Sequence, residues 1–277
     1  MNMHNTIGNI KFKKTLGQNF LFDSVLLAGI VDDSELSNDD VVLEIGAGAG
    51  TLTMALAKKA KTVIAVEIDH ELEPYLNRSL IGINNVQVLF ANVMKLSDSE
   101  INALTAGEFK IVSNIPYYLT TPLIMRFLES SLPLKSMTLT VQLEVAKRLT
   151  AKPNTPDYGA ITLALKMRGE AVIKRIINKE QFHPKPKVDS AVVHLQIKDD
   201  IPTAKNQSVL CKFIRAGFAM RRKTLLNNIV PTFNISRMDA LEVITSCGLD
   251  ANIRGEALSL NDYIMLSDRL TEIVKVL

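Results

Sequence analysis

A short apolar run followed at once by three alternating glycines constrains this chain more than anything else in it. Val41-Val42-Leu43-Glu44-Ile45 reads as a buried strand, and Gly46-Ala47-Gly48-Ala49-Gly50 follows directly. Glycine at such a place permits a tight turn and a close approach to a ligand that a Cβ would push away. Thr51 offers a hydroxyl to cap a helix running through Lys59, whose apolar side is Leu52, Ala55, Leu56 and Ala57. Thr62 to Ile68 reads as a second β-branched strand, with Glu67 near its end, twenty-one positions after Gly46. A carboxylate there is placed to accept both hydroxyl hydrogens of a ribose. Strand, glycine turn, helix, strand and acid together predict an adenine nucleoside held across the carboxyl edge of a sheet.

The same rhythm continues downstream. Val86 to Phe90, Phe109 to Ser113 and Met137 to Val141 read as strands with helical patterns between them, and Val188 to Ile197 as a late strand. Such alternation predicts an α/β domain with a parallel sheet covered on both faces. After Lys198 the pattern changes. Asp199-Asp200-Ile201-Pro202-Thr203 reads as a linker, and Ser208–Asn228, Arg237–Ser246 and Leu260–Val276 carry helical spacing. The expected domains are 1–198, with a basic N-terminal arm, and a small all-helical domain over 199–277.

Composition excludes several classes. Hydrophobic residues at 47% and charged residues at 22% describe a globular chain, not a disordered one. The apolar stretch Val25 to Val31 is far short of the roughly twenty residues of a membrane span. No signal-peptide pattern precedes it, so a soluble cytoplasmic protein is expected. Cys211 and Cys247 are too few for a disulfide framework, and His4, His70, His183 and His194 show no ligand spacing, which argues against a metal centre. The net charge of +3 is small but unevenly placed. Lys11, Lys13 and Lys14 form a basic arm with no acid before Asp23. Lys212, Arg215, Arg221, Arg222 and Lys223 fall within twelve residues that hold no carboxylate. Lys174, Arg175, Lys179, Lys185 and Lys187 form a third group. Any one cluster reads as a solvated face; three together point to a polyanionic partner such as nucleic acid.

The glycine spacing bears on which nucleoside binds. A dinucleotide fingerprint wants G-x-G-x-x-G, whereas here the third glycine comes one place early and Thr51 holds the slot. The G-x-G-x-G form behind an acidic residue resembles the first motif of S-adenosylmethionine-dependent methyltransferases; NAD is the lesser reading. Asn114-Ile115-Pro116-Tyr117-Tyr118 follows a strand at the same sheet edge. Methyl transfer to an exocyclic amine needs the nitrogen held in line with the methyl carbon. It also needs acceptors for the amine hydrogens, because its lone pair is otherwise spread into the ring. The Asn114 side-chain oxygen and a main-chain carbonyl at Ile115 or Pro116 suit that task, Pro116 stiffens the turn, and Tyr117 offers a face for an extruded base. His183 reads as a surface or packing residue.

Nearly the whole chain resembles the ribosomal RNA adenine dimethyltransferase family, its bacterial small-subunit (16S) members above all. Leu16-Gly17-Gln18-Asn19-Phe20-Leu21 is similar to the family's N-terminal motif, in which the Asn and Leu line the cofactor pocket. Gly46, Gly48 and Glu67 occupy its glycine-loop and ribose positions. Asn114 to Tyr118 resembles its catalytic N-[IL]-P-Y-x motif. Phe182 to Ser190 resembles its F-x-P-x-P-x-V-x-S stretch, whose Phe helps sandwich the target adenine. Phe218 to Leu225 matches the basic helix opening the C-terminal domain, and Arg254-Gly255-Glu256 a later element. Asn92 stands where the family usually has an Asp that accepts from the cofactor's adenine amine; an Asn carbonyl can also accept, without charge assistance. The resemblance implies a Rossmann-like methyltransferase domain with a helical RNA-binding domain. S-adenosylmethionine would lie among Asn19, Leu21, Gly46, Gly48, Glu67, Asn92 and Asn114. Asn114, Pro116, Tyr117 and Phe182 would serve the target adenine, while Lys13, Lys14, Arg221, Arg222 and Lys223 would grip RNA phosphates. The implied substrate is two adjacent adenosines in a hairpin near the 3′ end of small-subunit ribosomal RNA, in the immature 30S particle, met by a monomer. Two rivals are a large-subunit adenine methylase of the antibiotic-resistance type and an assembly factor without useful catalysis.

Overall fold

β-branched and apolar runs set the strands. They are β1 (Phe20–Leu21), β2 (Val41–Ile45), β3 (Thr62–Glu67), β4 (Val86–Phe90), β5 (Phe109–Asn114), β6 (Leu134–Gln142), β7 (Gly169–Ile177), β8 (Phe182–His183) and β9 (Ser190–Ile197). These come from a computed structural model that describes residues 18–276. Seven of the strands form one sheet in the order β4-β3-β2-β5-β6-β9-β7, and β1 pairs with β8 in a separate antiparallel ribbon. From β4 to β6 all neighbours run parallel, whereas β9 is antiparallel to β6. The sheet is therefore mixed, not wholly parallel as the strand–helix rhythm suggested. β9 follows its other neighbour, β7, through only a 3-10 turn and the two-residue β8, too short for the crossover that a parallel pairing of those two strands would need.

The parallel strands bury both faces. Val42, Val63, Val112 and Val192 pack in one cluster with Leu27, Ile30 and Val31 of the helix Ser24–Asp33 and with Leu52 and Leu56 of the helix Thr51–Ala57. Asp23 caps the first of these helices, its Oδ1 accepting from Val25 N (2.8 Å) and Leu26 N (3.2 Å). The second begins at Thr51 with left-handed Gly50 as the cap residue and no capping side chain, so the Thr51 cap expected from the sequence does not form. β7, which no apolar alternation announced, is one of the sheet's two edge strands. There Lys174 pairs with Glu35 (2.7 Å) and Arg175 with Asp33, so charge is tolerated on a strand.

Packing divides the chain into two compact units: residues up to 146 with 171–197, and 147–170 with 198–277. The linear boundary at 198/199 leaves 147–170 on the wrong side of that division. The reason is burial: Tyr158 and Leu163 are fully buried in the C-terminal core with Phe213, Leu225, Val243 and Tyr263, and Tyr158 Oη donates to the Leu258 carbonyl (2.7 Å). The helices of this unit span Ala160–Lys166, Gln207–Ala219, Leu225–Phe233, Arg237–Ser246 and Leu260–Val276. The long helix expected over Ser208–Asn228 is thus two. Thr224 caps the second, and the buried Asn228 amide donates to the Gly217 and Met220 carbonyls at the end of the first (3.4 Å each). Arg221, Arg222 and Lys223 consequently lie in the link between helices, not on one. Gly255 meets Gly217 backbone to backbone; a Cβ on Gly255 would stand 2.3 Å from the Gly217 oxygen.

Candidate active site

The carboxyl ends of β2, β3, β4 and β5, together with residues 18–21, enclose a cleft of roughly 1120 Å³, solvent at its mouth included. Its walls contain Asn19, Leu21, Gly46, Gly48, Glu67, Asn92, Asn114 and Pro116, eight residues singled out from the sequence. At the floor, Gly48 takes φ +59°, and a Cβ there would come within 2.7 Å of the Phe20 ring. The glycine thus lets β1 lie against the loop.

Glu67 is buried and organises the loop around its carboxylate. Oε2 accepts from Gly48 N (2.8 Å); Oε1 accepts from Ile68 N and Asp69 N (2.8 Å each). A carboxylate offers about four acceptor positions, so room for one further donor remains, on Oε2. Oε2, which holds a single main-chain donor, is the oxygen left more open to a ribose hydroxyl. Asn92 also does something the sequence did not reveal. Its Oδ1 accepts from Met94 N (3.0 Å) and caps the one-turn helix Val93–Lys95. The amide end is left for the cleft, a donor suited to a ring nitrogen more than to an adenine amine.

Asn114 closes β5, and its Nδ2 donates to the main-chain oxygen of Asn19 (2.7 Å). That bond fixes which end of the amide is which, leaving Oδ1 as the acceptor end. Pro116 follows in extended conformation, and Tyr117–Leu119 forms a single 3-10 turn. Tyr117 is half-buried with its hydroxyl 2.8 Å from Ser190 Oγ, and burial pushes its phenol pKa up. It does not line the cleft; its neighbour Tyr118 does, 60% exposed. Phe182 is also displaced from expectation. Its ring is buried in the core cluster with Leu21 and Leu27, and across the β1–β8 ribbon it pairs with Leu21. Glu44, behind the glycine loop, is fully buried; desolvation pushes its carboxyl up to about 8, with the Glu67 charge acting in the same direction. Sequence reasoning passed over Tyr118 and Ser190 as functional residues. Each sits inside a motif already quoted, and their only signal was adjacency to residues that had been chosen.

Of the basic residues, Lys13 and Lys14 lie outside the described residues. Arg222 and Lys223 are exposed. Arg221 is engaged: its guanidinium donates to Glu256 Oε2 (3.2 Å) and to the Pro156 carbonyl (2.9 Å). No helix among the described residues is long and apolar enough to cross a membrane.

The family model described as ribosomal RNA adenine dimethylase matches residues 9–272. A protein named ribosomal RNA small subunit methyltransferase A from Listeria monocytogenes is 40% identical over 272 residues, covering 95% of this chain and 92% of its own. Its namesake from Clostridioides difficile is 36% identical over 263 residues, covering 94% and 91%. Among solved structures, a dimethyladenosine transferase from Plasmodium falciparum superposes with a TM-score of 0.76 at 26% identity, covering 92% of this chain and 98% of that one. The 23S rRNA methyltransferase ErmE gives 0.71 at 25%, covering 91% and 99%.

Proposed function

Because the chain belongs to the ribosomal RNA adenine dimethylase family, we propose that it dimethylates the exocyclic amines of two adjacent adenosines in small-subunit ribosomal RNA. The target is a hairpin near the RNA's 3′ end, met in the immature 30S particle by a cytoplasmic monomer. One observation carries the reading: the Asn114 amide is anchored on the Asn19 carbonyl, so an acceptor oxygen stands at the edge of a nucleoside-sized cleft.

S-adenosylmethionine fits the residues present, with Asn19, Leu21, Gly46, Gly48, Glu67, Asn92 and Asn114 as its holders. Glu67 keeps one acceptor position for a ribose hydroxyl, and Asn92 turns a donor toward a purine ring nitrogen. When bound, this group supplies a methyl made electrophilic by a sulfonium. Asn114 Oδ1 and the main-chain oxygen at Ile115 accept the hydrogens of the target amine and localise its lone pair. Pro116 holds those oxygens in place. The amine loses its proton after the methyl arrives, which suits a motif lacking His, Asp and Lys. Tyr117 and the exposed Tyr118 supply aromatic faces for an adenine out of its stack. Phe182 acts from behind, seating Leu21 and β1 against the cleft.

ErmE shares the fold, so a large-subunit substrate is the reading to test against. The higher identity to small-subunit enzymes, 40% over 95% of the chain, favours the small subunit. Labelled methyl groups should pass to undermethylated small subunits, with the modified nucleotides mapping to adjacent adenosines, and not to free large-subunit RNA. Tyr117→Ala should keep cofactor affinity and cut transfer by at least about tenfold, the worth of a lost stacking contact. Unchanged transfer in that variant would remove the stacking role.

A further inference from the structure

We infer that Ser190 is a positioning residue for methyl transfer, its buried hydroxyl setting the angle at which the Tyr117 ring is presented beside the target adenine. This rests on the proposed function and adds to it a residue that acts only through another. Ser190 Oγ lies 2.8 Å from Tyr117 Oη, although the two are 73 positions apart. Ser190 is fully buried and opens β9, where it pairs with Gln142 of β6. The residue before it is pinned twice: Asp189 Oδ1 accepts from Lys179 N (3.0 Å), and the Asp189 carbonyl accepts from Leu143 N (3.0 Å). The hydroxyl therefore has a fixed origin in the sheet.

The Tyr117 ring has no such anchor in its own segment. Its main chain starts a single 3-10 turn held by Leu119 N to the Pro116 carbonyl (2.9 Å) and Thr120 N to the Tyr117 carbonyl, but its ring is only half-buried. A ring on such a turn is free to change rotamer unless its far end is held. The far end is held by Ser190. A stacking platform works by direction as well as area, since a tilted ring moves the base and with it the nitrogen that must meet the methyl in line. The bond also ties together the two motif segments, Asn114–Tyr118 and Phe182–Ser190.

A hydrogen bond that merely satisfies a buried hydroxyl would affect stability and leave turnover alone. The test separates the two with Tyr117→Phe, Ser190→Ala and the double variant, each measured for kcat and KM on undermethylated small subunits and for S-adenosylhomocysteine affinity by calorimetry. Each single variant should lose about tenfold in kcat, with KM and cofactor affinity within about twofold of wild type. The double variant should be no slower than either single one, because both delete the same bond. Full turnover in Tyr117→Phe, or losses that multiply in the double variant, would overturn the inference. Should Ser190→Ala fail to fold, Tyr117→Phe still decides, since it removes the bond from the partly exposed side. A wild-type chain that transfers no methyl group to these particles would instead overturn the proposed function.

Discussion

Glu44 is placed at a cost to the fold. It is a carboxyl taken wholly out of water, its Oε2 without a hydrogen-bond partner, with a second carboxylate, Glu67, raising its pKa further. Held up at about 8, it is protonated at neutral pH in this state of the protein. The folded chain then binds a proton that the unfolded chain releases near its ordinary value of 4.5. The stabilisation is complete below that lower value and is lost as pH rises through about 8. Thermal melts of the ligand-free protein should therefore show stability falling between pH 5 and 8 by a few kcal/mol, and Glu44→Gln should flatten that fall. A wild-type profile that rises over the same window would refute the assignment. At this scale the sequence was informative about which residues gather and poor about which way they face. Asn19, Glu67 and Asn114 were legible because their motifs fix them at strand ends. The capping bond of Asn92, the hidden ring of Phe182 and the exposed one of Tyr118 were not, because a motif carries no rotamer.

Among the elements, those with a single strong period were readable. Val86–Phe90, Arg237–Ser246 and Leu260–Val276 have the limits their patterns predicted. Failures came where a side chain outvoted the period. Lys174 and Arg175 disguised β7, since an edge strand can carry charges that a central one cannot. The apolar spacing of Ser208–Asn228 runs through a break enforced by Thr224 and Asn228. The turn Gly255–Ala257 depends on something subtler, backbone lying on backbone at Gly217. Gly255→Ala should destabilise the C-terminal unit by about 1–3 kcal/mol, because the contacted atom is a main-chain oxygen with no rotamer to change. Urea unfolding would measure this. Cofactor affinity should stay within about twofold of wild type, since every residue assigned to that site belongs to the other unit.

For the molecule as a whole, a net charge of +3 says little, and local pairing decides which cations are available to RNA. The third basic group is largely spoken for: Lys174 pairs with Glu35, Arg175 with Asp33 and Lys185 with Glu180. In the C-terminal unit Arg221 is tied to Glu256 and Pro156, while Arg222 and Lys223 point no such bond inward and are exposed. The proposed phosphate grip therefore belongs to the latter two, with Arg221 bracing the link that carries them. Each phosphate contact releases a counterion and steepens the fall of affinity with salt. Arg222→Ala combined with Lys223→Ala should lower the slope of log affinity against log salt by about two, one for each lost contact. Arg221→Ala should instead leave the slope unchanged and lower the urea midpoint of the C-terminal unit. Binding of small-subunit ribosomal RNA across a salt series separates these outcomes: a slope that responds to Arg221→Ala and ignores the double substitution would reverse the two roles.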